Sequence, residues 1–130
     1  MIAFVDTNVI VRHLTADPPD MAHRATEFLR NATELLLPDL IAAEIVYVLE
    51  SFYEVERSRV AELLRAVIAF PAIQTLDASL LLRALEIYDV HRLDFADAYL
   101  VASAEVSGVG QVASFDRDLD RLSTITRIEP

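Results

Sequence analysis

Short apolar runs alternate with longer amphipathic segments along the whole chain. Each run has the length of a strand and lacks a helical period, so it indicates a buried strand. The predicted strands are 2–5, 35–37, 72–76, 111–115 and, at an edge, 124–128. In the segments between them, apolar residues recur at helical spacing. The predicted helices begin at Thr7, after the turn 17–20, at Pro38, at about Ser58, at Ala78 and after Asp94.

Residues that start and stop helices support these limits. Pro38 suits the first turn of one helix, and Pro71 stops the next. Asp77 and Asp94 are expected to cap the last two helices. The four helices from Pro38 onward are expected to end at about Glu54, Phe70, Val90 and Ser107.

The order of these elements predicts the fold class. Strands that alternate with helices indicate a parallel sheet covered on both faces. The prediction is therefore α/β, in three layers, with a central parallel sheet of about 4–5 strands flanked by helices. No repeat, low-complexity segment or Gly/Ser linker divides the chain, so we expect residues 1–130 to form a single domain.

The composition of the chain bears on where in the cell the protein is expected. Hydrophobic residues make up 54% of the chain, yet no apolar run approaches the ~18 residues of a membrane helix. The first residues lack the basic flank and cleavage site of a signal peptide. With no cysteine there is neither a disulfide framework nor a thiolate metal site. We expect a cytoplasmic protein without a membrane partner.

The charge balance restricts the chemistry. The formal net charge is −10, and all 11 basic residues are arginine. This balance opposes non-specific binding of nucleic acid and favours a cation or a basic partner. The absence of lysine excludes a P-loop, and the presence of only 2 glycines excludes a Rossmann fingerprint.

Two aspartates follow predicted strands directly. Asp6 comes after the first strand, and Asp116 comes after Ser114 near the end of the fourth. In a parallel sheet both would lie at the carboxyl edge, where open α/β sheets bind ligands. The alternative is that both are ordinary turn residues.

Two further acids lie among apolar side chains on helices. Glu44 is one turn from Leu40 and from Val48, and Asp97 shares its helix face with Val101. A carboxylate on a core-facing stripe costs several kcal/mol unless it is paired or metal-bound. The alternative to a metal site is a salt bridge to one of the arginines.

Four carboxylates in one pocket would repel each other, and some would take up protons. A hard divalent cation removes this conflict, and Mg²⁺ or Mn²⁺ prefers carboxylate and water oxygens. The three histidines, at 13, 23 and 91, are scattered along the chain and are not expected to be ligands. A carboxylate-bound Mg²⁺ suits phosphoryl chemistry.

Four segments, in order, resemble the motifs of PIN-domain ribonucleases, specifically the VapC-type toxins of toxin–antitoxin pairs. The resemblance covers almost the whole chain. The segments are Val5–Arg12, Pro38–Tyr53, Asp94–Ala102 and Ser114–Asp116.

The resemblance implies that Asp6, Glu44 and Asp97 are the principal catalytic and metal-binding acids. Asp116 corresponds to a more variable fourth acid. Asp94 also recurs in the third motif, either as a helix cap or as a metal contact. The supporting polar residues are Thr7, Asn8, Ser114 and Arg12. Arg12 would hold a phosphate or pair with an acid, and Asp118 and Asp120 belong to a solvated face.

The implied function is a Mg²⁺- or Mn²⁺-dependent endoribonuclease that cuts tRNA, rRNA or mRNA. The implied partners are a VapB-type antitoxin and a second copy of the chain. The helix from Pro38 to Glu54 supports a partner contact, because it is apolar nearly all round.

Two other functions remain open. The first is a non-catalytic PIN-like module that binds RNA or protein. The second is a phosphohydrolase for small phosphate esters, but an Asp-x-Asp motif after the first strand would then be expected, and this chain reads Asp6-Thr7-Asn8.

Overall fold

Five strands and six α-helices alternate along the chain in the computed structural model, which describes residues 1–130. The strands are β1 Ile2–Phe4, β2 Glu34–Leu36, β3 Ile73–Gln74, β4 Gln111–Ala113 and β5 Thr126–Ile128. The helices are α1 Thr7–Thr15, α2 Pro19–Asn31, α3 Asp39–Ser51, α4 Arg57–Ile68, α5 Ala78–Val90 and α6 Phe95–Ser107. The predicted α/β class is confirmed. A 3-10 helix at Arg117–Arg121 was not predicted.

The chain divides into two compact units, Met1–Leu76 and Asp77–Pro130. The first contains a parallel sheet in the order β1-β2-β3, in which Leu35 of the central strand is paired with Ala3 on one side and Ile73 on the other. In the second unit β4 pairs with β5, again in parallel. Each of the three strand pairings is parallel, as expected, and the strands form one sheet of three and one sheet of two.

The core of the first unit forms around β2. Leu35 is 0% exposed, as expected for a central parallel strand covered on both faces. Helix α1 packs against α2 and α3, and α3 packs against α4. Ile45 and Leu49 of α3 and Val60 of α4 are also 0% exposed. Burial of each such side chain contributes about 1.5–3 kcal/mol to the free energy of folding.

Helix α3 has one buried face, and large apolar side chains are also exposed on its other side. Ile45 and Leu49 are fully buried, whereas Tyr47 is 67% exposed and Phe52, just past the helix end, is 75% exposed. The helix ends at Ser51, a little before the predicted end. The apolar side chains that the sequence places all round this helix therefore do not all serve the core of their unit.

Local capping starts the two helices of the second unit as predicted. The Asp77 side chain accepts a hydrogen bond from the backbone N–H of Leu80 at 3.1 Å. The Asp94 side chain accepts one from the backbone N–H of Asp97 at 2.9 Å. Each bond satisfies a donor that the first helical turn leaves unpaired, and each stabilises the helix by about 1 kcal/mol.

A charged pair joins the two packed helices of the second unit. Arg83 of α5 donates from Nε and Nη2 to the two carboxylate oxygens of Glu105 on α6, at 2.7 and 2.9 Å. The Thr124 hydroxyl also donates to Glu105. The hydrogen bonds from Arg83 lower the pKa of Glu105 below its usual value, although partial burial opposes them. The pair therefore stabilises the contact between α5 and α6.

None of the six helices combines the length and the apolar character that crossing a membrane requires.

We predict that Glu105→Gln destabilises the protein by about 1–2 kcal/mol at pH 7, since it removes a charge-assisted, two-point hydrogen bond. Urea unfolding followed by circular dichroism measures this. Because the pKa of Glu105 is lower in the folded state than in the unfolded state, its charge stabilises the protein above the unfolded-state pKa. This stabilisation is lost as the pH falls through the folded-state pKa. The difference between variant and wild type should therefore shrink below about pH 4.

The matched control is Glu86→Gln, because Glu86 also contacts Arg83 but its side chain is 56% exposed. It should cost less than about 0.5 kcal/mol. Equal costs for the two variants at pH 7 would contradict a specific role for Glu105.

Candidate active site

Asp6 connects the end of β1 to the start of α1. It is the N-cap of α1, and its Oδ1 accepts a hydrogen bond from the backbone N–H of Thr7 at 2.8 Å. The side chain is exposed. Asp6 thus lies just past the carboxyl end of a parallel strand, as the sequence predicts, and capping restricts its orientation.

Thr7, the next residue, is buried and has an unsatisfied oxygen. Its side chain is 3% exposed, and Oγ1 has no hydrogen-bond partner. A buried hydroxyl without a partner costs about 1–3 kcal/mol, so such groups are rare outside sites that bind an ion, a water or a ligand. This supports the prediction that Thr7 is a supporting polar residue of the site.

Glu44 does not lie where the sequence analysis expected it. It is exposed, it forms no hydrogen bond or ion pair, and its neighbour Leu40 is 79% exposed. The predicted core-facing position is therefore wrong, and the alternative of a salt bridge is also absent. The buried face of α3 consists of Ala42, Ile45, Val46 and Leu49. Because the helix is apolar nearly all round, its hydropathy pattern did not identify this face.

Three aspartates meet in the second unit. Asp94 is the N-cap of α6, and Asp97 lies in the first turn of that helix. Asp116 follows β4 and caps the 3-10 helix through the backbone N–H of Asp118 at 2.9 Å. The backbone N–H of Asp116 donates to Ser114 Oγ at 2.9 Å, which restricts the backbone at this acid.

The electrostatics of Asp97 reflect this clustering. Partial burial, the negative charges of Asp94 and Asp116, and hydrogen-bond contacts with both carboxyl groups raise the pKa of Asp97 to about 6. No arginine forms an ion pair with Asp97, so the salt-bridge alternative is excluded here as well. Asp97 therefore lacks a positive counter-charge within the chain.

Asp118 and Asp120 are exposed and form ion pairs with arginines, as expected for a solvated face. Asp118 forms an ion pair with Arg121 at 3.2 Å, and Asp120 forms one with Arg127 at 3.0 Å. His13 forms a hydrogen bond with Thr26 Oγ1 at 2.8 Å.

The donor set formed by Asp94, Asp97 and Asp116 suits a hard divalent cation. It offers carboxylate oxygens alone, and a cation would offset the negative charges of Asp94 and Asp116 that, after burial, raise the pKa of Asp97. In neither unit, however, are three or more acidic or histidine side chains arranged to hold a metal ion. The cluster has the right chemistry for a metal without a preformed coordination geometry.

Arg12 lies on α1, and its side chain forms no ion pair or hydrogen bond within the chain, so of the two roles left open for it the pairing with an acid is absent. It lines an open cavity together with Asn8 of the same helix and Arg24 of α2. Sequence reasoning missed Arg24, because no spacing rule connects residues on two different helices.

Comparison with known proteins identifies the family. The PIN domain family matches residues 3–125, so the chain belongs to the PIN domain family. The matched range includes residues of both compact units. PIN domains are in general nucleases and typically use divalent metal ions. The family predicted from the four motifs is confirmed.

No curated protein matches the chain. Among solved structures, it is similar to the crystal structure of VapBC2 from Rickettsia felis bound to a DNA fragment from their promoter. The two share 12% sequence identity over 99% of this chain and 98% of that one, with a TM-score of 0.40. A likeness of this extent does not bear on function.

We predict that Asp97→Asn stabilises the metal-free protein at pH 7. A carboxyl group whose folded-state pKa is raised contributes stability that is lost as pH rises through that pKa. Wild type should therefore lose stability between about pH 4 and 7, and the variant should lose less. After allowance for solvent screening, we expect about 1 kcal/mol at pH 7, or roughly 3 °C in Tm, and almost no difference at pH 4.

Thermal melts in EDTA across this pH range measure the effect. Asp118→Asn is the matched control, because this acid is ion-paired and exposed. A pH profile of Asp97→Asn that coincides with that of wild type would show that Asp97 is ionised at little cost.

Proposed function

We propose that this PIN domain is a metal-dependent endoribonuclease and the toxin of a VapBC-type toxin–antitoxin pair. The observation that carries the nuclease assignment is the cluster of Asp94, Asp97 and Asp116, in which Asp97 lacks a counter-charge. A divalent cation would supply that charge. Because PIN domains are in general nucleases, the cation would then take part in phosphodiester cleavage. The toxin assignment rests on the resemblance of the four sequence motifs.

We propose that Asp6, Glu44, Asp97 and Asp116 hold Mg²⁺ or Mn²⁺, directly or through water. Asp6 and Asp116 each follow a parallel strand, which supports this role. Glu44 is free of ion pairs, so its carboxylate is available to a ligand. The side chain of Asp94 accepts the backbone N–H of Asp97, which favours a capping and positioning role for it.

In the proposed reaction, water attacks an RNA phosphodiester in line, and the products carry 5′-phosphate and 3′-hydroxyl ends. Bound Mg²⁺ or Mn²⁺ supplies activation of water and neutralises developing negative charge. The chain supplies orientation: the N–H of Thr7 holds Asp6, and Ser114 holds the backbone of Asp116. Such bonds restrict the orientations of the two acids.

The expected substrates are tRNA, rRNA or mRNA, and the expected place of action is the cytoplasm. The net charge of −10 suits an antitoxin with basic segments, since opposite fields promote association. The exposed apolar face of α3, which includes Tyr47, supports a homodimer.

We predict that the purified, antitoxin-free protein cleaves RNA in Mg²⁺ or Mn²⁺. EDTA should abolish the activity, and Asp6→Asn and Asp97→Asn should each lower it at least about a hundredfold, since each removes a carboxylate that balances the metal charge. Gel analysis of end-labelled RNA measures the rate and identifies the 5′-phosphate ends.

Asp118→Asn is the matched control and should cleave as wild type does. Activity that survives EDTA and both variants would show that these acids are not the active site. Cyclic 2′,3′-phosphate products would exclude attack by water. Hydrolysis of p-nitrophenyl phosphate without cleavage of RNA would indicate a phosphohydrolase instead.

We also predict a dimer at micromolar concentration, measured by size-exclusion chromatography with light scattering. Tyr47→Glu should shift it to monomer, because a charge would then be buried in the apolar contact. Val109→Glu, at a residue that is 68% exposed in the loop after α6, should leave the mass unchanged. A wild-type monomer would overturn the prediction.

A further inference from the structure

An open cavity of about 540 Å³ lies along the packed helices α1 and α2. Asn8 and Arg12, one turn apart on α1, line one side of it, and Arg24 and Phe28, one turn apart on α2, line the other. No acidic side chain lines this cavity. The cavity therefore presents two guanidinium groups within an otherwise acidic protein.

Neither Arg12 nor Arg24 forms an ion pair within the chain. Arg30, Arg59, Arg83 and Arg127, in contrast, all do. Glu27, three residues from Arg24 on α2, pairs with Arg30 at 3.2 Å instead. The side chains of Arg12 and Arg24 are therefore available to an external anion.

The remaining wall of the cavity is apolar and accessible. Met21 and Phe28 line it, and each is 41% exposed. An aromatic face beside guanidinium groups matches single-stranded nucleic acid, in which bases alternate with phosphates: bases stack on aromatic rings while cations contact the backbone. An acidic peptide would use the arginines but would leave the aromatic wall without a matching group.

We infer that this cavity binds single-stranded RNA, with Arg12 and Arg24 on backbone phosphates and Phe28 against a base. The inference rests on the proposed nuclease function and adds a substrate contact to it. It also explains how a chain of charge −10 holds a polyanion: the positive charge is concentrated in one place.

The position of the cavity along α1 suits a substrate site. Asn8 is two residues from Asp6, the cap of the same helix. At 1.5 Å per residue, Arg12 lies about 9 Å from Asp6 along the axis. An axial interval of this size corresponds to a few nucleotides of an extended strand.

The test is fluorescence anisotropy of the full chain with a labelled, single-stranded 12-nucleotide RNA in EDTA, where no cleavage is required. Arg12→Gln/Arg24→Gln should weaken binding about tenfold or more at 100 mM salt. It should also lower the slope of log affinity against log salt by about 1.4, or 0.7 for each lost phosphate contact. Phe28→Ala should weaken binding with no change in that slope.

Two controls exclude a fault in folding. Arg59→Gln removes an arginine that is paired with Glu62 on α4 and should bind RNA as wild type does. Arg12→Lys/Arg24→Lys keeps both charges and should retain most of the salt slope. Circular dichroism verifies that each variant is folded.

Each alternative outcome overturns a different claim. Wild-type affinity in the double Gln variant, or an equal loss in Arg59→Gln, would overturn the RNA site while leaving the nuclease proposal intact. Displacement of RNA by polyglutamate at equal charge concentration would show a site for acidic peptides instead. RNA binding that depends on both arginines, without cleavage in Mg²⁺ or Mn²⁺, would support the site and overturn the nuclease proposal.

Discussion

Hydrogen bonds from backbone N–H groups to aspartate side chains are the interaction on which the candidate site depends. Asp6 caps α1, Asp94 caps α6 and Asp116 caps the 3-10 helix. Each bond satisfies a donor that the helix would otherwise leave unpaired, and each also limits where the carboxylate can point. The same bonds that begin these helices therefore restrict the orientations of the acids, although they do not bring three of them into a coordination geometry.

Clustering the three aspartates makes it unfavourable for all of them to be ionised, and Asp97 is the residue most affected. Asp97 is half-buried, lies beside Asp94 and Asp116, and has its pKa raised to about 6. Within the same unit, Arg83 and Glu105 form a compensated pair whose charges stabilise the helix contact. The second unit thus contains two different charge arrangements. The ion pair of Arg83 and Glu105 stabilises the fold, whereas the three aspartates have no counter-charge and favour a bound cation.

Local rules account for what the sequence could predict. Strand length, capping and proline positions located every strand and α-helix, and the position of Asp6 after β1 followed from them. Glu44 was misplaced because α3 is apolar nearly all round, and only packing against the rest of the unit selects its buried face. Arg24 was missed because its proximity to Arg12 arises from the packing of two helices. These failures share one cause: contacts between elements leave no period in the sequence.

Net charge is a poor guide to the ligands of this protein, because charge acts over a short range. At physiological salt the field of an exposed charge decays over about 8 Å, so a bound polyanion senses the nearest side chains more than the total. No acid lines the α1–α2 cavity, and Glu27, which is close to Arg24 on α2, is paired with Arg30. What matters is which arginines remain unpaired and whether they share a surface. Arg12 and Arg24 meet both conditions, so the acidic net charge does not conflict with the RNA site that we propose.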